Sequence, residues 1–193
     1  LTILVGTMTG NAQLVAQELE LILDDGETRV QVRVMDGLDA GVFSPGGLFL
    51  ICTSTYGQGD VPDNAKQLYE SLIATRPGLA NVQYGVIALG DRTYGDTFCN
   101  GGRRFDAILA ELGARRIGDI LFHDASSGTL AEESAAEWIG PWIAGARELR
   151  NGREAATVRV EVWKVEFSDQ PLRANERRLR SLTIPIERQP TAN

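Results

Sequence analysis

The chain has 193 residues, 43% of them hydrophobic and 23% charged, which is enough for one domain with a substantial core and too few for two ordinary domains. Its apolar runs are far shorter than the ~18 residues that cross a bilayer, and no basic segment precedes an apolar stretch at the amino end, so we expect a soluble, cytoplasmic protein without a membrane span. The two cysteines and the single histidine lack metal-ligand spacing, so a zinc or iron site is not expected.

The charge is unevenly distributed along the chain. Residues 1–150 carry 11 basic and 20 acidic side chains, a net charge of −9, whereas residues 151–193 have a net charge of +2. A negative domain repels nucleic acid and anionic membranes, and it attracts partners that have a basic face. The same acidity is also expected of a protein that simply needs to stay in solution.

The first apolar run, Thr2 to Val5, leads through a short polar loop into an amphipathic helix. A loop at the amino end of a helix offers free backbone N–H groups and a favourable dipole to an anion such as phosphate. The sequence has neither the Gly-Lys-Ser/Thr of a nucleoside triphosphatase nor the Gly-x-Gly-x-x-Gly of a dinucleotide site here. The alternative is that the threonines only cap the helix. The loop consists of Thr7, Met8, Thr9, Gly10, Asn11 and Ala12.

A second loop follows the apolar run Leu48 to Thr53, at the strand end where open α/β folds bind their ligands. Its two glycines allow a positive φ and a close approach of the backbone to a planar ring. The alternative is a plain turn that exposes a tyrosine. The candidate residues are Ser54, Thr55, Tyr56, Gly57, Gln58 and Gly59.

A third loop follows the next strand, which starts at Tyr84. It carries another tyrosine, which could cover the opposite face of the same ring. The candidate residues are Leu89, Gly90, Asp91, Tyr94, Phe98, Cys99 and Asn100.

A fifth strand is expected from Ile117 to Phe122, and it ends at His123 and Asp124. For His123, a structural role is favoured over titration near neutral pH.

Five strands that alternate with helices predict an α/β fold, a doubly wound parallel sheet with helices on both faces. The alternation of Val30, Val32 and Val34 places the second strand near an edge. After residue 150 the pattern changes, and the runs 158–167 and 179–186 predict two strands in a β-rich C-terminal extension, residues 151–193. These strands could extend the sheet, pair as a hairpin or begin a further domain. The start at Leu1 without methionine favours a piece of a longer chain.

Together the three loops resemble those of the flavodoxin family, most closely the short FMN domains of diflavin reductases of the NADPH-cytochrome reductase and sulfite reductase type. The similarity runs from residue 2 to about residue 148, and three loops in order at strand ends are a strong signal. The departures are Arg92, where the family usually has a small residue, and Gly95, where it often has an acidic one. The resemblance implies strand order 2-1-3-4-5 and an FMN-binding domain over residues 1–150.

The resemblance also implies how FMN would bind. The phosphate would lie in the loop Thr7 to Ala12, and the isoalloxazine would lie between Tyr56 and Tyr94. A Gly57 carbonyl turned towards flavin N5 would accept the hydrogen bond that N5–H needs after the first electron. Four carboxylates would oppose negative charge on the ring and could dock a basic redox partner. They are Asp60, Asp91, Asp96 and Asp124.

We therefore expect an electron-transfer flavoprotein that passes single electrons from a flavin reductase, an FAD/NADPH module, to a haem or iron-sulfur acceptor. Such a carrier needs no catalytic acid or base. The alternative is an FMN-dependent quinone or flavin oxidoreductase that takes two electrons from NAD(P)H, which generally needs a roomy cleft beside the ring. A flavin-free signalling or scaffold domain is the remaining alternative.

Overall fold

The computed structural model describes residues 1–24 and 28–166, and it gives side chains up to residue 151. The strands within this part are β1 (Thr2–Gly6), β2 (Gln31–Val34), β3 (Gly47–Ser54), β4 (Val82–Gly90), β5 (Arg115–Arg116) and β6 (Leu121–Asp124). The α-helices are α1 (Asn11–Leu23), α2 (Asp63–Thr75), α3 (Asn100–Glu111) and α4 (Ala131–Glu166). None of these helices combines the length and apolarity needed to cross a bilayer. The structure separates into two compact units after Leu149, and the sheet belongs to the first.

The strands form one parallel sheet in the order β2-β1-β3-β4-β5, and β6 also pairs with β4. This order confirms the predicted doubly wound, flavodoxin-like sheet. Among the described strands, β2 pairs only with β1, and it is half exposed, as its alternating valines predicted. Because all strands run the same way, the loops that follow β1, β3, β4 and β6 meet at one edge of the sheet.

The fifth strand differs from the prediction, because it forms in two short segments rather than one run. β5 pairs with Gln83 and Tyr84, and β6 pairs with β4 from Ile87 onward. Between them the backbone turns at Gly118, whose φ of 62° does not fit a strand. After the interruption, β6 pairs with the carboxyl end of β4. The loop that follows β6 therefore reaches the same edge of the sheet as the loops that follow β1, β3 and β4.

The sheet is buried on both faces, because neighbouring residues of a strand point to opposite sides. Leu4 of β1 belongs to a buried cluster with residues of α2 and α3, whereas Ile3 and Val5 belong to a second buried cluster with residues of α1 and α4. Every residue of β4 before Gly90 is buried. Burial of apolar area stabilises a fold by about 25 cal/mol per Å². The two-sided burial therefore stabilises the sheet and fixes the strand ends from which the loops extend.

The first strand predicted in the C-terminal extension is wrong. Val158, Val160 and Val162 lie in α4, which continues as a helix to Glu166. Good helix formers from Arg153 to Ala156 extend the existing helix, and adding residues to a formed helix costs little compared with nucleating a new element. The second run, residues 179–186, lies outside the described residues. The division into an FMN-binding domain and an extension stays a prediction.

Candidate functional site

A cleft of about 700 Å³ opens at the carboxyl ends of β1, β3, β4 and β6. Pockets that bind small molecules and cofactors have volumes of roughly 300–1,000 Å³. The cleft draws residues from all three predicted loops. The predicted residues that line it are Thr9, Asn11, Ser54, Thr55, Tyr56, Gly57, Leu89, Gly90, Asp91 and Tyr94.

The first loop leaves several backbone N–H groups free at the start of α1. The Thr7 N–H donates to Asn64 Oδ1 (2.9 Å), and the Gly10 N–H donates to Thr7 Oγ1 (2.9 Å). Gly10 is the residue that begins the helix, with φ 91° and no side-chain cap. Within the described part of the chain, the remaining backbone N–H groups of the loop have no acceptor. They belong to Met8, Thr9, Asn11 and Ala12.

This arrangement fits an anion better than it fits simple capping. The Thr7 hydroxyl holds the loop itself, and the exposed side chains of Thr9 and Asn11 face the cleft without capping the helix. Free N–H groups at a helix amino end, together with the helix dipole, are what a phosphate requires. Met8 lies outside the cleft, where its sulfur accepts a hydrogen bond from the Asp63 N–H (3.4 Å).

The second loop is a tight turn between Tyr56 and Asp60. The backbone N–H of each of these two residues donates to the carbonyl of the other, at 2.9 and 2.8 Å. Gly57 lies at the tip with a φ of 53°, and its carbonyl accepts no hydrogen bond from the described residues. Tyr56 is 48% exposed although it is a large aromatic residue. Gly57 and Tyr56 both line the cleft, and they bring to it a residue whose carbonyl has no partner in the described chain and a half-exposed ring.

The third loop is shaped by Asp91. Its carboxylate accepts hydrogen bonds from the backbone N–H and the hydroxyl of Thr93, at 2.8 and 2.6 Å. The chain then forms a short 3-10 turn that carries Tyr94, which is 70% exposed and lines the cleft. Tyr56 and Tyr94 thus bring two exposed aromatic rings to the same cleft from different loops, an arrangement that suits a planar ligand.

The start of α3 ties the second and third loops together. Asn100 Nδ2 donates to the Gly59 carbonyl (2.7 Å), and the Gly101 N–H donates to Thr55 Oγ1 (3.1 Å). A Cβ on Gly101 would lie 2.5 Å from the Ser54 carbonyl, so the close approach requires glycine. Gly59 and Asn100 therefore lie behind the cleft wall and hold it in place.

Three further candidates also lie outside the cleft. Gln58 is exposed at the tip of its turn, and Phe98 is half-buried beneath the Arg92 guanidinium, 5.0 Å from it. Cys99 is buried, and its Sγ donates to the Ala88 carbonyl (3.1 Å). Burial raises the pKa of the Cys99 thiol to about 12, so this thiol stays protonated at neutral pH.

One wall of the cleft was not predicted from the sequence. It follows β6 and includes Ala125 and the segment 129–132, with His123 beside them and Leu14 of α1 also lining the cleft. The sheet topology could have predicted this wall. β6 lies beside β4, so the loop after β6 must reach the same carboxyl edge of the sheet as the three predicted loops. The hydroxyl and glycine residues from Ser126 to Thr129 are of the same kind as those in the first loop.

The carboxylates around the ring loops are partly neutralised. Arg92 Nε lies 3.5 Å from Asp124 Oδ2, and Arg104 Nη1 lies 3.1 Å from Asp60 Oδ1. Hydrogen bonds, first from the Arg92 backbone N–H and then from Ser126, hold the pKa of Asp124 below its usual range. Among the described residues Asp96 forms no ion pair. The acidic field at the rim is therefore weaker than a count of carboxylates indicates.

Comparison with known proteins agrees with this geometry. The Flavodoxin family model matches residues 3–138. Flavodoxin YqcA of Escherichia coli (strain K12) is 41% identical over 140 residues, which are 72% of this chain and 93% of that protein. The sulfite reductase (NADPH) flavoprotein alpha-component of Vibrio parahaemolyticus is 37% identical over 175 residues, 87% of this chain and 26% of that protein. A solved flavodoxin from Pseudomonas aeruginosa has a TM-score of 0.66 at 32% identity and covers 76% of this chain and 97% of its own.

The matched segment contains all three loops, and it confirms the resemblance that their residues indicated. The cleft also fits the cofactor of the family, since free N–H donors lie at one end and two exposed aromatic rings at the other. The chain therefore belongs to the flavodoxin family of FMN-binding electron-transfer proteins.

Proposed function

We propose that this protein carries single electrons from an NADPH-dependent flavin reductase to a haem or iron-sulfur acceptor. The observation that carries the proposal is the pair of exposed tyrosines, Tyr56 and Tyr94, which line one cleft from two different loops. Rings stacked on both faces of a flavin leave its edge accessible to electrons, whereas hydride transfer needs a nicotinamide close against one face. This arrangement favours the carrier over the two-electron oxidoreductase.

One of the relatives supports the electron donor that we propose. The Vibrio parahaemolyticus protein to which this chain is 37% identical is named as an NADPH sulfite reductase flavoprotein component. A relative of that kind supports a flavin reductase module as the source of electrons. Buried, unpaired cysteines at Cys52 and Cys99 are in keeping with a reducing compartment, and we include a cytoplasmic location in the proposal.

The residues that would hold FMN follow from their donors and their exposure. The free backbone N–H groups of Thr9, Asn11 and Ala12 would bind the phosphate, with help from the Thr9 hydroxyl and the Asn11 amide. Tyr56 and Tyr94 would cover the ring faces and exclude water from them. We assign no catalytic acid or base.

When bound, FMN supplies the one-electron and two-electron redox chemistry. The Gly57 carbonyl, which is free of other partners in the described chain, would accept a hydrogen bond from flavin N5–H and hold that proton in place. The Asp91 carboxylate accepts two hydrogen bonds from Thr93, and it would hold the third loop in shape beside the ring. Asp96 would be the carboxylate most available to a basic partner.

An anaerobic reductive titration of the FMN-loaded protein tests this function. We expect two separate one-electron steps. The Gly57 carbonyl and the two tyrosine rings would stabilise the protein that has taken up one electron relative to the fully reduced protein. A single two-electron step would overturn the proposal in favour of the quinone or flavin oxidoreductase. Rapid-mixing rates with a basic haem protein give a second test, since Asp96→Asn should slow the transfer at low ionic strength. Asp119→Asn is the matched control, because Asp119 is also exposed but lies between β5 and β6 and not in the loop that carries Tyr94.

A further inference from the structure

His123 is a buried polar residue of the cleft to which the proposed electron transfer assigns no role. It is the one histidine in the sequence, and it lies on β6 in register with Leu89 of β4. It lines the cleft although the residue is only 7% exposed. A polar ring so deeply buried needs hydrogen-bond partners for both of its nitrogens.

The hydrogen bonds around Nδ1 determine which nitrogen carries the proton. Ser134 Oγ donates to the Leu130 carbonyl (3.3 Å) and lies 3.2 Å from His123 Nδ1. A hydroxyl has a single proton, so Ser134 Oγ must accept from the Nδ1–H of the ring. In the neutral imidazole Nε2 is then an unprotonated acceptor.

The neutral form is the one present near neutral pH. Burial lowers the pKa of His123, and this effect outweighs the opposite effect of the nearby carboxylates of Asp124 and Glu132. Nε2 is therefore an acceptor, and none of the described residues donates to it. His123 Nε2 is not one of the fully buried polar atoms that lack a partner, so it has accessible surface. Because His123 lines the cleft, a donor bound there can reach this nitrogen.

We propose that His123 is a further cofactor-binding residue, whose Nε2 accepts a hydrogen bond from FMN in the cleft. The donor is a polar hydrogen of the cofactor, either a ribityl hydroxyl or the N3–H of the ring. The inference rests on FMN occupying the cleft as described above. It adds the β6 side of the cleft to the binding site and gives the buried imidazole a function.

Nitrogen NMR of the histidine ring tests the proposal directly, and the single histidine makes the assignment unambiguous. In the protein without FMN we expect a protonated Nδ1 and an unprotonated Nε2. Saturation with FMN should change the chemical shift of Nε2, because Nε2 then accepts a hydrogen bond. Nδ1 should stay protonated. Lumiflavin, which has the ring but no ribityl chain, separates the two donors: a retained shift assigns N3–H, and a lost shift assigns a ribityl hydroxyl.

Two outcomes would overturn the inference. If flavin fluorescence is quenched on binding but Nε2 keeps the resonance it has without FMN, His123 does not contact the cofactor. If Nε2 is protonated in the free protein, the tautomer argument fails. Neither outcome affects the two-step reduction that tests electron transfer, so the two proposals fail separately.

A pair of amide variants gives an independent readout. The glutamine amide in His123→Gln can place an acceptor where Nε2 lies, whereas the shorter amide in His123→Asn reaches only the position of Nδ1. We expect the FMN dissociation constant of His123→Gln to stay within about twofold of the parent value. That of His123→Asn should rise about fivefold to tenfold, the size of one net hydrogen bond. Equal affinities in both variants and the parent protein would overturn the proposal, with melting temperatures as the control for folding.

Discussion

Replacement of Gly57 by alanine tests the link between backbone geometry and redox chemistry. Gly57 has a φ of 53°, and a Cβ there would meet nothing within 4 Å. The substitution is therefore free of steric clash, and its cost comes from the left-handed conformation, about 1–2 kcal/mol for an L-residue. For a protein of this size that cost lowers the melting temperature by roughly 2–8 °C.

The redox effect has a different origin. Alanine restricts rotation of the peptide that follows residue 57, so its carbonyl can no longer turn freely towards flavin N5. Losing one net hydrogen bond of about 0.5–1.5 kcal/mol lowers the first one-electron potential by roughly 20–65 mV, at 59 mV for each tenfold change in equilibrium constant. FMN should stay bound, because the phosphate loop and both tyrosines are unchanged.

Potentiometric titration of the parent protein and two variants separates these effects. Gly37→Ala is the matched control, since Gly37 also has a positive φ (68°), an open environment and no contact with the cleft. Both variants should lose similar stability, but only Gly57→Ala should shift the first potential. Equal potentials in all three proteins would refute the role of the Gly57 carbonyl.

Three further predictions concern the cleft and its support. Tyr94→Ala should raise the FMN dissociation constant about tenfold by fluorescence titration, because it removes one ring cover; an unchanged constant would contradict the stacking role. Gly101→Ala should lower both melting temperature and FMN affinity, since its Cβ would lie 2.5 Å from the Ser54 carbonyl; a change in stability alone would show that the second loop is positioned by other contacts. His123 has a pKa below its ordinary value of about 6.5, so the unfolded chain takes up a proton first as the pH falls and stability decreases. Urea unfolding of the FMN-free protein at pH 7 and about 5.5 should show a smaller decrease for His123→Gln, and an equal decrease would contradict this assignment.

Local patterns in the sequence were sufficient to predict the sheet and the three loops. The apolar runs in β1, β3 and β4 end abruptly in polar loops, and such runs identify parallel strands without further information. The order of the strands and the cofactor came instead from the resemblance of the loops to a known family. The cleft residues at Tyr56 and Tyr94 belong to this predictable part.

The parts that could not be predicted depend on contacts distant in sequence. β5 and β6 are short and take their register from β4, so the positive φ at Gly118 is decided by the sheet and not by the local pattern. The unpredicted cleft wall after β6 follows from that register. In the tail, the alternating valines after residue 157 indicate a strand by period, yet α4 simply continues through them. Local periodicity cannot reveal that a neighbouring helix extends into a segment.

The contacts behind the cleft explain why the two ring loops should act together. Asn100 and Gly101 at the start of α3 bond to Gly59 and Thr55 of the second loop, and Cys99 just before them bonds to the carbonyl of Ala88 in β4. A displacement of either loop would break hydrogen bonds of the other, so their free energies of ordering cannot be independent. Binding of the ring between the two tyrosines, as we propose, would therefore select one joint arrangement of both loops. Under the proposed function, this coupling would let a cleft made of turns hold the flavin edge in a fixed orientation towards an electron donor or acceptor.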